Sequence, residues 1–65
     1  MPRKIRELRA QLRKAGMILD RTKGDHGTWV HPRLPNSVTI SGNDGDDAKH
    51  YQEKLVRDAL AQIGG

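Results

Sequence analysis

The residues between Gly24 and Pro32, GDHGTWVHP, contain the strongest candidate for chemistry in the chain. His26 lies between Gly24-Asp25 and Gly27, and glycines let a ligand or another stretch of backbone come close. An imidazole changes its charge between pH 5 and 8, so it serves as a general acid or base in cells. His26 is therefore a candidate catalytic residue. A lone histidine in a turn is more often structural, and that alternative stands beside the prediction.

Cationic side chains accompany this histidine along the chain. Arg21 and Lys23 precede it, and helical spacing places three arginines on one flank of an N-terminal helix: Arg6, Arg9 and Arg13. RNA carries its own nucleophile, the 2′-OH, so a base near that hydroxyl and cations near the phosphate suffice for cleavage without a metal or cofactor. We predict these five cations as RNA-binding residues. The alternative is that these side chains form a solvated charged face without a ligand.

Hydrophobic periodicity predicts five elements that must position these groups. The predicted elements are a helix at 3–15, strands at 17–23, 26–31 and 37–40, and a helix from about 48 to 63. Each helix has one apolar face, and a three-stranded antiparallel sheet with both helices on one side would cover both faces. The predicted fold is therefore α+β with the order α-β-β-β-α, in a single domain spanning 1–65.

Alternation along the second strand indicates which side chains face the helices. Trp29 falls on one face, and His26 and Thr28 fall on the other. Because the chain has no Phe, Trp29 is expected to be the main aromatic residue of the core, with base stacking as the alternative. His26 is then expected to point outward.

The loop at 41–47 and the last helix carry further expectations. The loop is rich in Gly, Asn and Asp and is expected to be the most mobile interior segment. Asp46 or Asp47 is expected to cap the last helix. The apolar arc of that helix is expected to comprise Tyr51, Leu55, Val56, Ala59, Leu60 and Ile63.

Composition limits the classes of function. The net charge is +4, and residues 1–33 hold nine Lys and Arg against three Asp and Glu, so a polyanion would meet this half. The absence of Cys excludes a disulfide framework or a cysteine zinc site. No apolar run approaches the length of a membrane span, so no membrane role and a cytoplasmic location are expected.

The other two histidines receive no catalytic role. His31 ends the second predicted strand beside a proline, and His50 lies on the polar side of the last helix. A metal site formed by His26, His31 and His50 is disfavoured, because the first two would point to opposite faces of a strand. We therefore predict no metal and no cofactor.

Several short motifs follow one another in the first half of the chain. A helix ends in Ala15-Gly16, a strand ends in Arg-x-Lys-Gly at residues 21–24, and Gly24-Asp25-His26 comes next, with an aromatic at Trp29 and then His31-Pro32. This arrangement resembles the HicA family of small bacterial mRNA-interferase toxins over nearly the whole chain. Asp25 stands where that family usually has Ser, and the acidic loop at 41–47 stands where it usually has Pro and a basic or His residue.

The resemblance implies a fold like that of a double-stranded-RNA-binding domain. It also implies cleavage of mRNA through His26 and inhibition by a HicB-type antitoxin protein. Two other hypotheses stay open because of Asp25 and the acidic loop. One is a non-catalytic RNA-binding module, and the other is an interaction subunit whose activity has decayed.

Overall fold

A computed structural model of the chain describes residues 2–64. Its elements are α1 (Ile5–Lys14), β1 (Ile18–Lys23), β2 (His26–Val30), β3 (Val38–Ser41) and α2 (His50–Gly64). The predicted order α-β-β-β-α is confirmed, and most bounds lie within two residues of those predicted. The fold is consistent with that of a double-stranded-RNA-binding domain.

Helix α1 forms because its apolar side chains share one face and a glycine ends it. Ile5, Leu8 and Leu12 are buried on that face. Gly16 has φ +91°, a left-handed conformation that glycine adopts without strain. Its N–H donates to the carbonyl of Arg13, and the N–H of Met17 donates to that of Leu12. These two bonds form a Schellman motif, which ends the helix and turns the chain into β1.

The sheet has the order β1-β2-β3, and all pairing is antiparallel. The two-residue turn Gly24-Asp25 joins β1 to β2, and Gly24 has φ +61° there. The turn therefore places the first residue of β2, His26, at the end of the hairpin. A bulge between Leu19 and Arg21 interrupts the register of the edge strand β1.

The hydrophobic core lies between the two helices and one face of the sheet. Its members are Ile5, Leu8, Leu12, Met17, Trp29, Val38, Ile40, Ala48, Val56 and Ala59. The strand members come from β2 and β3, whereas all six residues of β1 are exposed. The helices therefore cover β2 and β3 and leave β1 largely open.

The expected cap of α2 and part of its expected apolar face are wrong. The helix begins at His50 rather than about Ala48, and neither Asp46 nor Asp47 caps it: Asp47 pairs with Lys4, and Asp46 accepts a hydrogen bond from the N–H of Asn43. Tyr51 and Leu55 are exposed rather than part of the apolar face. Gln52, the residue after Tyr51, is buried instead, and its Nε2 donates to the carbonyl of Ser41 at 2.9 Å.

The acidic loop is held against α1. The N–H of Ile5 donates to the carbonyl of Asp46, and the N–H of Arg6 donates to that of Asp44. Two donors at the start of the helix, which no helical carbonyl can reach, are thereby satisfied. The sequence, which predicts this loop as the most mobile interior segment, does not reveal these contacts.

Neither helix within residues 2–64 combines the length and the apolar character needed to cross a membrane.

Candidate active site

His26 begins β2 and points away from the helices. Its side chain is 60% exposed, whereas Trp29 is 1% exposed on the opposite face of the same strand. The alternation predicted for this strand is thus confirmed, and Trp29 is a core residue. The imidazole is accessible to a large ligand on the outer face of the sheet.

The strand register surrounds His26 with polar and cationic neighbours. Lys23 on β1 and Ser41 on β3 lie directly opposite it, and Arg21 lies opposite Thr28. Directly opposed residues share a face, so these side chains lie beside His26. A cavity of about 550 Å³ on this face is lined by Arg21, Lys23, Gly24, His26 and Thr28.

Asp25 provides a carboxylate beside the imidazole. Its Oδ1 lies 3.2 Å from Nε2 of His26, and both side chains are exposed. The two groups form an ion pair when the imidazole is protonated. A carboxylate in this position stabilises a positive charge that develops on the ring.

Arg9 connects α1 to the turn that carries His26. Its guanidinium pairs with the carboxylate of Asp44 at 2.5 Å and donates to the carbonyls of Asp25, at 3.2 Å, and Gly42, at 2.9 Å. The side chain is only 20% exposed. Arg9 thus braces the β1–β2 turn against the segment after β3.

The chain matches the model of a known protein family. The family model described as HicA toxin of bacterial toxin-antitoxin matches residues 5–64, nearly the whole chain. The chain belongs to the HicA toxin family. Comparison with curated proteins and with solved structures finds no match.

Membership of the HicA family gives the chain a general role. It is a toxin of a toxin–antitoxin system, and such a toxin has an antitoxin partner. The outer face of the sheet, which carries His26, Arg21 and Lys23, is the candidate active-site surface of this HicA protein.

The predicted cationic residues of the HicA chain do not form one surface. Arg21 and Lys23 lie beside His26, whereas α1 packs on the other side of the sheet. Arg6 is exposed on α1, Arg9 is engaged in the brace, and the guanidinium carbon of Arg13 lies 5.4 Å from the centroid of the Trp29 ring. The predicted flank of three equivalent arginines is therefore divided among three environments.

The other histidines lie away from this face. Nδ1 of His31 accepts a hydrogen bond from the N–H of Arg33 at 3.0 Å, and His50 is exposed at the start of α2. No three His, Asp or Glu side chains within residues 2–64 cluster in a way that could hold a metal ion.

Sequence reasoning missed two contributors to the site. Ser41 was assigned to the loop, although it ends β3 directly opposite His26; extending the alternation of Val38 to Ile40 by one residue would have placed it on the outer face. Asp44 falls in the loop expected to be the most mobile interior segment, although it pairs with Arg9. No sequence pattern signals that pairing, because 35 residues separate the partners.

Proposed function

We propose that this HicA toxin is a metal-independent endoribonuclease that cleaves mRNA in the cytoplasm, with His26 as its catalytic base. The proposal rests on one arrangement of side chains. The imidazole of His26 is exposed, Lys23 lies directly opposite it on β1, and Arg21 lies two residues before Lys23 on the same face. A base and two cations on one accessible face are the groups that cleavage by the 2′-OH requires.

The proposed reaction is an internal transfer within the RNA. Nδ1 of neutral His26 accepts the proton of a 2′-OH, and the 2′-oxygen attacks the adjacent phosphorus. The new P–O2′ bond forms as the P–O5′ bond breaks, and the departing 5′-oxygen takes a proton from water. The imidazolium then gives its proton to the resulting hydroxide, which restores neutral His26. The products are a 2′,3′-cyclic phosphate and a 5′-hydroxyl end. Lys23 and Arg21 stabilise the negative charge that grows on the phosphate oxygens.

Asp25 has a defined part in this scheme. Its carboxylate, 3.2 Å from Nε2, favours the tautomer that carries the proton on Nε2 and leaves Nδ1 as the proton acceptor. After proton transfer, the same carboxylate stabilises the imidazolium. Asp25 in place of the usual Ser is then compatible with catalysis, which favours the enzyme over a decayed interaction subunit.

Arg9 takes a positioning part rather than a phosphate contact. Its guanidinium is already engaged with Asp44 and with the carbonyl of Asp25, the residue next to His26. We assign it to holding the turn in place. The acidic loop at 41–47 thereby serves the site, because Asp44 fixes the arginine that fixes the turn. We assign phosphate binding at the site to Arg21 and Lys23, and contacts with more distant phosphates of the RNA to Arg6 and Arg13.

The chemistry is tested by the ends of the cleaved RNA. Purified toxin is expected to cleave RNA in the presence of a chelator and to leave 5′-hydroxyl ends, with cyclic phosphates on the other fragments. RNA that carries 2′-O-methyl groups throughout is expected to stay intact, because the nucleophile is blocked. Mass spectrometry of the fragments reads both outcomes. Products with 5′-phosphate ends, or activity that needs an added divalent metal, would contradict the mechanism.

Salt dependence tests the assignment of Arg21 and Lys23. For single strands, each phosphate contact contributes about 0.7 to the slope of log affinity against log salt. Replacing both residues with Gln is therefore expected to lower the slope by about 1.4, measured with 2′-O-methyl RNA. The matched control replaces Arg57 and Lys54, which are exposed on α2, and is expected to leave the slope unchanged. Equal changes in both double variants would show that the outer face has no special role.

We propose a HicB-type protein as the antitoxin partner and the His26 face as its docking surface. Substrate and inhibitor would then compete for the same cations. An inhibitor suited to this surface presents acidic side chains and covers the imidazole.

A further inference from the structure

A second cavity lies on the helix-facing side of the sheet, apart from the cavity that His26 lines. It occupies about 410 Å³ between α1 and β1, and we call it the α1–β1 cleft. It exists because α1 packs over β2 and β3 and leaves the edge strand uncovered. Its walls include Arg9, Arg13, Leu19, Thr22, Gly27 and Trp29.

The floor of the cleft is deep because Gly27 has no side chain. Gly27 is buried, and a Cβ added there would lie 3.1 Å from Cδ1 of Leu19 and 3.6 Å from Nε1 of Trp29. The missing side chain lets Leu19 pack closely over the strand beside the edge of the indole ring, so this space opens only when Leu19 moves. A side chain at position 27 would occupy the space beside Nε1 and force Leu19 to shift.

Trp29 brings an unsatisfied donor to this place. Its Nε1 is buried and has no hydrogen-bond partner among residues 2–64. Buried polar groups are nearly always paired, and an unpaired one calls for an explanation. Leu19 borders the same space, and its side chain is flexible and 44% exposed. When Leu19 turns aside, an acceptor from a ligand can reach Nε1.

The carboxylates near the cleft are already paired, so they do not accept from Arg13 or from the indole N–H of Trp29. The carboxylates of Asp44 and Asp25 are engaged with Arg9 and His26, respectively. Arg13 stacks on the Trp29 ring and has no ion-pair partner in the part of the chain that the structure describes. A fitting ligand therefore offers hydrogen-bond acceptors together with a flat apolar surface.

We propose that the α1–β1 cleft binds one nucleobase of the RNA substrate. This inference rests on the proposed function and adds a base-recognition subsite to it. The base packs against Leu19 and Gly27, an acceptor on its edge receives the indole N–H, and its phosphate meets Arg13. The cleft and the His26 cavity share Gly24 at the tip of the hairpin. An RNA strand that crosses this tip places one nucleotide in the cleft and its neighbour at His26.

A nucleobase fits better than the acidic side chain of a protein partner. A carboxylate would satisfy the donors, but it would leave the apolar wall and the floor above Gly27 uncovered. A cavity of a few hundred Å³ has the usual size of a site for a small organic group, and this one combines the apolar surfaces of Leu19 and Trp29 with polar side chains such as Arg13 and Thr22. Binding of an acidic protein segment is therefore the alternative outcome of the test.

The single tryptophan gives a direct readout. The full-length chain, labelled with ¹⁵N, is titrated with single-stranded 2′-O-methyl RNA, and the indole N–H resonance of Trp29 is followed. We expect this resonance to shift saturably downfield as the hydrogen bond forms. Gly27→Ala is expected to abolish the shift and to weaken RNA binding about tenfold, a loss within the range for one base. The matched control Gly45→Ala, at a position with nothing within 4 Å, is expected to behave as wild type.

The outcomes separate this inference from the proposed function. Shifts at Lys23, His26 and Thr28 with an unmoved Trp29 indole would overturn the subsite and leave the nuclease proposal standing. An indole that responds to the purified antitoxin but not to RNA would overturn it as well. No shift on either face would contradict RNA binding altogether. If Gly27→Ala does not fold, Leu19→Phe fills the cleft from its exposed edge and is expected to block the shift in the same way.

Discussion

Replacing His26 with alanine is expected to abolish RNA cleavage and growth inhibition while leaving the fold intact. General acid–base catalysis contributes about 10²–10⁴-fold to a rate, so cleavage is expected to fall at least about a hundredfold. The side chain is 60% exposed and belongs to no core contact, so its removal costs little stability. Single-turnover cleavage of RNA, growth of expressing cells and thermal unfolding measure the three effects.

His50→Ala is the matched control for this experiment. His50 is exposed on α2, away from the outer face of the sheet, and its loss is expected to change neither cleavage nor growth. A folded His26→Ala protein that cleaves at the wild-type rate would remove the catalytic assignment. RNA binding by both the wild type and His26→Ala, with cleavage by neither, would favour the hypothesis of a non-catalytic binding module with His26 as a turn residue.

The orientation of the site was predictable because strand geometry is local. Period-two alternation places His26 and Trp29 on opposite faces, and the absence of Phe indicates that the indole belongs in the core. The structure confirms both points. A Gly-Asp pair between two β-favouring runs similarly indicates the turn that presents His26. These features depend on neighbours in sequence, so the sequence is sufficient for them.

Contacts between distant segments were not predictable in the same way. Asp46 and Asp47 have the right chemistry to cap a helix that begins near Ala48, but α2 begins at His50, and contacts with Asn43 and Lys4 engage the two carboxylates instead. Helical spacing places Arg9 on a cationic flank, but its actual partner is Asp44, in a loop more than thirty residues away. Propensity describes what a residue can do locally, and tertiary partners decide which of those options is used.

The face of α2 was misjudged for a related reason. Tyr51 and Leu55 extend the apolar arc of the helix, but α2 packs through the narrower face formed by Gln52, Val56 and Ala59. The structure leaves both exposed and buries Gln52, whose amide reaches the carbonyl of Ser41. Ser41 lies opposite His26, so this buried glutamine also anchors the strand end beside the site.

Charge reversal at Lys23 is expected to weaken antitoxin binding and RNA cleavage together. Lys23 is exposed directly opposite His26, on the surface assigned to both ligands. In Lys23→Glu, the new carboxylate would repel RNA phosphates and the acidic side chains proposed for the inhibitor. Association with the purified antitoxin is expected to slow by at least about tenfold at low salt, and the difference is expected to shrink as salt rises.

Lys54→Glu, on α2, provides the matched control and is expected to leave both activities near wild type, because it breaks only an exposed pair with Asp58. Hydrogen exchange on the purified complex then locates the interface. Protection is expected over residues 21–29, since an inhibitor that competes with RNA must cover the β1–β2 hairpin. Protection confined to α2, or a Lys23→Glu protein that loses cleavage but binds antitoxin normally, would mean that substrate and inhibitor use different surfaces.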